Sequence, residues 1–305
     1  MNHPYASTTY AEALGHMGHT LAVPEWGGHI LTRAIEDSGA RDAVGPYPLT
    51  VLPPDADLVG GLERLKAAGL LSVVAVLDPL QHPPIEAIKC AFDLARPFKT
   101  HHIHDRSLGP PAYAKHHRYE VRRAQTRVEA REIDLADHLP DWIGLYDLLI
   151  SRHQLTGVHA FPTSHHRALA ELPGVRAFGA FIDDHLVSAH LFVTHAGQAT
   201  SHLAASSAEG YAAGAAYAVN DLALERLDDC ELINFGGGAG AGDDPNDGLS
   251  RFKAGFANTR RTVWLCGAIL DPDACRTLSA GREDNGFFPA YRGPTQEERS
   301  DADQG

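Results

Sequence analysis

The 305-residue chain is poor in cysteine, methionine and tryptophan, with four, two and three residues respectively. The four cysteines, Cys90, Cys230, Cys266 and Cys275, form no CxxC pair. That argues against a disulfide-stapled scaffold and makes a reduced, cytoplasmic protein the expectation. No apolar run approaches the ~20 residues of a membrane span, and the start, MNHPYASTTY, lacks the basic-then-apolar pattern of a signal peptide. There is no GxSxG of a serine hydrolase. The histidine pairs His101-His102, His116-His117 and His165-His166 fall outside HExxH or paired Cys/His spacing, so no metal site is expected.

Basic charge is also scarce. Lys and Arg number 26 against 39 Asp and Glu, a net charge of −13, which disfavours a general polyanion binder. The deficit is uneven. Residues 96–131 hold nine bases and three acids, a local +6 on a body of −19. Nineteen histidines would carry the formal charge from −13 to +6 if all were protonated, so solubility should depend sharply on pH around ~6.5.

Periodicity predicts an α/β (α+β) protein. Thr9-x-x-Glu12 reads as a capping box, HILTRAIEDS (29–38) as a helix, GPYPLTVL (45–52) as an edge segment and DLVGGLERLKAAG (57–69) as an amphipathic helix. LLSVVAVLD (70–78) reads as a buried strand, and PIEAIKCAFDLA (84–95) as a helix. A helix over 112–127, the strand VEAREID and a helix over 136–154 follow. Three strands, VRAFGAFID, HLVSAHLFVTH and QATSHLAAS, broken at Asp183-Asp184 and Ala196-Gly197, predict an antiparallel meander. A helix over about 208–227, the strand ELINF, a Gly/Asp loop and a strand over 259–270 complete the order. The polar, Pro/Gly-containing residues 281–305 are expected to be a flexible tail.

This order, with HRYEVRRA (117–124), HLAASSAEGYAAGAAYAVNDLALE (202–225) and INFGGGAGAGDDPNDGLSRFKAGF (233–256), resembles the GNAT-fold acyltransferases and, more narrowly, their FemAB-like branch. The resemblance implies tandem GNAT-like domains, each a mixed, mostly antiparallel sheet flanked by helices. The expected division is a degenerate N-terminal domain over 1–100 and a catalytic domain over 101–280. It implies amide-forming transfer of an aminoacyl group from aminoacyl-tRNA to an amine-bearing small molecule or peptidoglycan precursor. An acyl-CoA-dependent N-acyltransferase and a non-catalytic GNAT-like binding protein are the alternatives.

Its most specific piece is the Phe252-Lys253 pair. A cation in a dry site stabilises a tetrahedral oxyanion, so Lys253 is the candidate activating or phosphate-holding group and Phe252 the residue that shapes the channel. Lys115, Arg118, Arg122 and, one position round, Arg123 form a cationic helix stripe suited to phosphate, although most such stripes are solvated faces. The stretch Ser207-Ala208-Glu209-Gly210-Tyr211-Ala212, followed by Gly214, lies where coenzyme A-dependent relatives cradle pyrophosphate. Ser207 stands in place of their Arg or Gln and Glu209 adds negative charge, while Gly210 and Gly214 equally permit close helix packing. The run Gly236-Gly237-Gly238-x-Gly240-x-Gly242 opens onto Asp243 and Asp244 rather than a helix, so it reads as a loop at the site, with either acid able to hold an acceptor amine.

Overall fold

In a computed structural model, residues 2–111, 113–240, 244, 247–282 and 286–294 are described. The chain forms helix α1 (Thr8–Ala13), strands β1 (His19–Val23), β2 (Gly28–Ala34) and β3 (Arg41–Val44), α2 (Leu58–Ala67), β4 (Leu70–Val76), α3 (Ile85–Ala91) and β5 (Leu94–Asp105). It continues through α4 (Lys115–Gln125), β6 (Glu129–Ile133), α5 (Leu139–His153), α6 (Thr163–Glu171), β7 (Val175–Ile182), β8 (His185–His195) and β9 (Gln198–Ser206). Then come α7 (Ala208–Ala213), α8 (Ala215–Arg226), β10 (Leu232–Gly236), α9 (Gly248–Ala254), β11 (Thr259–Ile269) and α10 (Pro272–Leu278).

Two compact units result, residues 1–98 with 263–305, and residues 99–262. In the first, β1, β2 and β3 pair antiparallel in sequence, β3 pairs parallel with β4, and β4 pairs antiparallel with β11. Trp26, Ile30, Leu65, Val73, Ile88 and Cys266 fill its core. In the second, β10 pairs antiparallel with β5 and parallel with β9, and β9, β8, β7 and β6 form an antiparallel ladder. Phe178, Phe192, Val219, Leu224, Phe235 and Phe256 lie at its centre. The alanines on the buried face of α8 (Ala215, Ala218, Ala223) let that helix lie close against the sheet and α4. The fold class is therefore α/β, each unit carrying a mixed, mostly antiparallel sheet flanked by helices.

This division differs from boundaries at 100 and 280 because Val263–Ile269 completes the first unit's sheet beside β4. Residues beyond 280 contribute as well. Tyr291 is buried with its hydroxyl 2.7 Å from Ser72 Oγ, and Arg292 forks onto buried Asp42 at 2.7 and 2.8 Å. Arg33 meets the same carboxylate at 3.1 and 3.2 Å, so two guanidiniums neutralise a charge that burial alone would not tolerate.

Local differences have identifiable causes. HILTRAIEDS forms β2 because β1 and β3 flank it. GPYPLTVL makes only the isolated bridge Thr50–Leu77. Ser7, two residues before the expected box, caps α1 through Tyr10 N–H. The helix after the meander breaks into α7 and α8 at Gly214, whose φ of +73° suits glycine.

Candidate active site

The second unit opens where β9 and β10 part. Their parallel pairing runs through Leu232–Gln198, Ile233–Ala199 and Asn234–Thr200 and stops there, although β9 continues to Ser206 and β10 to Gly236. A register shift against β5 falls between Asn234 and Gly236. Gly236 takes a φ of +82°, and its N–H donates to Asn234 Oδ1 at 2.9 Å, a local turn that ends the strand. The glycine run then reaches α9, whose cap Asp247 accepts from Ser250 N–H at 2.8 Å and from Ala239 N–H at 2.9 Å. From α9, Lys253 Nζ donates to Gly237 O at 2.8 Å, and Lys99 Nζ on β5 donates to Gly238 O at 3.3 Å. His102 and Ser250 pair at 2.9 Å, fixing α9 against β5.

Two imidazoles share this region. His101 Nδ1 lies 3.1 Å from Asn234 Oδ1. His190 on β8 is buried, its Nδ1 3.1 Å from Asn220 Oδ1 on α8 and its Nε2 2.7 Å from Ser201 Oγ on β9. Asn220 Nδ2 donates to Ala216 O at 2.8 Å. That turns Asn220 Oδ1 toward the ring, so His190 Nδ1 carries the proton and Nε2 accepts from Ser201. Burial first, and the Lys253 charge second, push both His101 and His190 down to about 3. Burial also brings Lys253 down to about 8, with Lys99 acting in the same direction and Asp247 against it. The site is electropositive, and its histidines are neutral at ordinary pH.

Residues 115–245 match the family model described as an acetyltransferase (GNAT) domain. The chain carries a GNAT acyltransferase domain. Solved structures share its fold over nine-tenths of the chain. FemX superposes with a TM-score of 0.64 at 12% identity, covering 90% of this chain and 95% of FemX. The C-terminal DUF2156 domain of an Agrobacterium fabrum protein named for lysylphosphatidylglycerol synthetase gives 0.61 at 15% identity, over 90% and 93%. L-PGS from Bacillus licheniformis gives 0.58 at 11% identity, over 89% and 95%. No curated protein sequence matches the chain. At these identities the likenesses establish a FemAB-like fold.

Within the second unit the residues expected from sequence are dispersed. Lys253 lies at the parting strands. Phe252 turns toward an aromatic cluster, its ring centroid 4.9 Å from that of Tyr217 and 5.3 Å from that of Phe256. Lys115, Arg118 and Arg122 are exposed on α4, and Arg123 is half-buried on Glu120 at 3.0 Å. Much of the basic stretch is engaged internally. Arg118 donates to Tyr113 O at 3.0 Å, Arg127 to Ala212 O at 3.3 Å, and Arg106 to three carbonyls behind α8. Ser207 Oγ caps α7 by accepting Gly210 N–H at 3.0 Å, and a Cβ on Gly210 would collide with Val187 O. Tyr211 is exposed beneath the Arg152 guanidinium, 4.2 Å from its ring centroid, and Gly214 makes the α7–α8 break. Asp244 is exposed, and Asp243 lies outside the described residues.

Sequence reasoning missed Asn234, Asn220, Ser201 and His190, and raised His101 only among histidine pairs. The available signal was a polar residue at a strand position flanked by apolar ones, as at His190 in HLVSAHLFVTH. Among the described residues, no group of three or more His, Cys, Asp and Glu is placed to hold a metal ion.

Proposed function

We propose that the protein forms an amide by transferring an aminoacyl group, drawn from aminoacyl-tRNA, to an amine on a small molecule or peptidoglycan precursor in the cytoplasm. The carrying observation is the half-buried Lys253 ammonium on Gly237 O at the open end of the β9–β10 pair. As an amine adds to an ester carbonyl, the oxygen gains negative charge, and a preorganised cation in a dry site lowers that barrier. Phe252 shapes the adjoining channel, and Asp243 or Asp244 holds the acceptor amine. Lys115, Arg118, Arg122 and Arg123 offer a local positive surface to tRNA phosphates, so contact is confined and weakens with salt. Residues 1–98 with 263–305 serve as a degenerate companion domain of GNAT type.

The donor choice rests on the loop before α7. Gly210 N–H is already taken by Ser207 Oγ, and Gly210 packs against Val187 O. Fewer amides at Ser207, Gly210, Tyr211 and Gly214 are thereby left for a pyrophosphate than a coenzyme A cradle requires. The name of one structural neighbour points the same way, since it specifies an aminoacylated product, lysylphosphatidylglycerol. Among the described residues no helix is long and apolar enough to cross a membrane. An acyl-CoA donor is the second reading, favoured by the acetyltransferase family match.

The test offers purified protein charged tRNA, with and without ribonuclease, and separately acetyl-CoA, each with a panel of amines. Ribonuclease-sensitive transfer is expected, and Lys253→Ala should lower it roughly 10²–10³-fold. Transfer from acetyl-CoA alone would establish the second reading. Binding of neither donor would leave a non-catalytic binding protein, and full activity in Lys253→Ala would remove the lysine from the mechanism.

A further inference from the structure

The hydrogen bonds around Asn234 can be assigned atom by atom. Gly236 N–H can only donate, and its partner at 2.9 Å is Asn234 Oδ1. That fixes the amide's orientation, so His101 Nδ1, 3.1 Å from the same oxygen, must be the protonated nitrogen. A neutral imidazole carries one N–H, which leaves the lone pair on Nε2. Among the described residues nothing hydrogen-bonds to that atom, whereas both ring nitrogens of His190 are engaged. A methyl on Gly237 would lie 3.3 Å from His101 Cδ2, the atom bonded to Nε2. The basic edge of the ring therefore borders the same peptide whose carbonyl anchors Lys253.

Resting on the acyl-transfer reading above, we propose that His101 Nε2 accepts the proton released when the acceptor nitrogen attacks the donor carbonyl, with Asn234 as its positioning residue. The nitrogen–carbon bond forms and the donor's carbon–oxygen or carbon–sulfur bond breaks. The nitrogen becomes strongly acidic once bonded to the carbonyl carbon. Its proton passes to Nε2 and then to the departing oxygen or sulfur, so nothing is oxidised and no further reactant is required. Burial first, then Lys253, Lys99 and His102, which face the ring, hold its proton affinity down, against the Asn234 bond. An oxyanion beside Lys253 offsets that field at the moment the proton must be taken. Asn234 then acts as the orienting member of a base-and-orienter pair, selecting the tautomer.

His101→Asn retains a donor where Nδ1 stood and removes Nε2. With charged tRNA or acetyl-CoA, whichever donor wild type uses, kcat should fall 10²–10⁴-fold with the donor KM within about threefold, and added imidazole should restore part of the rate. Asn234→Asp keeps both acceptor contacts and sets a carboxylate beside the ring. It should retain activity within roughly tenfold, with the acid limb of kcat/KM moved to higher pH. Nitrogen-15 NMR of wild type at pH 7 should find His101 in the Nδ1–H form. Unimpaired kcat in His101→Asn, or an Nε2–H or protonated ring at pH 7, overturns the role of His101 alone. Wild type that transfers neither group overturns the acyl-transfer reading and the role together.

Discussion

Lowering the pH from 7.5 to 5.5 should unfold the second unit preferentially, and the expected loss can be worked from its histidines. His101 and His190 are pushed down to about 3 and His166 to about 4, in each case chiefly by burial. His166 cannot readily gain a proton, because its Nδ1 accepts from the Trp142 indole N–H at 3.0 Å. In the unfolded chain the same rings titrate near ~6.5. The unfolded state thus binds more protons, and stability is complete above about pH 6.5 and falls as the pH drops toward the folded-state values. At pH 5.5 each unfolded imidazole is about nine-tenths protonated, so nearly three protons are taken up on unfolding, at about 1.4 kcal/mol each and roughly 4 kcal/mol in all. His202 is displaced in the same direction by burial and by the neighbouring imidazoles and adds to the effect. Carboxylates contribute little in this window. The low-lying ones, Glu25 beside Arg64, Asp105 beside Ser107 and Asp247 on the amides of Ala239 and Ser250, lose their charge only well below it. Urea unfolding followed by circular dichroism at half-unit pH intervals reads both midpoint and slope. A stability that is flat within about 1 kcal/mol between pH 7.5 and 5.5, or that rises, would refute the reasoning.

Three further expectations follow from packing and charge. Arg106 caps the carboxyl end of α8, donating to Leu224 O at 2.6 Å, Cys230 O at 2.8 Å and Leu227 O at 3.0 Å. Arg106→Met should cost about 3 kcal/mol and lower the melting temperature by roughly 6–12 °C in a thermal scan; a drop under about 2 °C would count against the cap. Gly210→Ala forces a methyl into Val187 O and should destabilise by about 1–3 kcal/mol in urea, whereas unchanged stability would reopen Gly210 for a ligand. Arg118→Glu with Arg122→Glu should reduce tRNA-dependent transfer at least tenfold at low salt while the melting temperature holds, and unchanged transfer would move the donor to a small molecule.

The meander over 175–206 was legible because short turn-like breaks separate its strands at Asp183, Asp184 and Ala196, all in the left-handed region, together with Gly197. The helices α4 and α5 were legible from their apolar spacing. The strand β2 was not, since Ile30, Leu31 and Ile35 fit a helical stripe as well as a strand, and only pairing with β1 and β3 decides between them. Seven-residue α9 was hidden among glycines and acids, its start marked only by Asp247. Within the site, Lys253 was found through its motif. Asn234, Ser201 and His190 sit on three different strands, and a polar residue in a strand ordinarily signals a wet face. Their meaning emerges only when the ladder brings them to the same end of the sheet as Lys253.

The first unit is discontinuous: β4 waits for β11, and Asp42 waits for Arg292. During synthesis from the amino end, residues 99–262 are therefore complete while residues 1–98 still lack a strand and half of the charge that balances a buried carboxylate. Maturation runs from the middle of the chain outward, inverting the usual order in which the first-made domain folds first. Released chains truncated shortly after residue 262 should protect the second unit from protease and leave the first open. The closing contact, Arg292 on Asp42, marks a chain whose translation has run past the final helix.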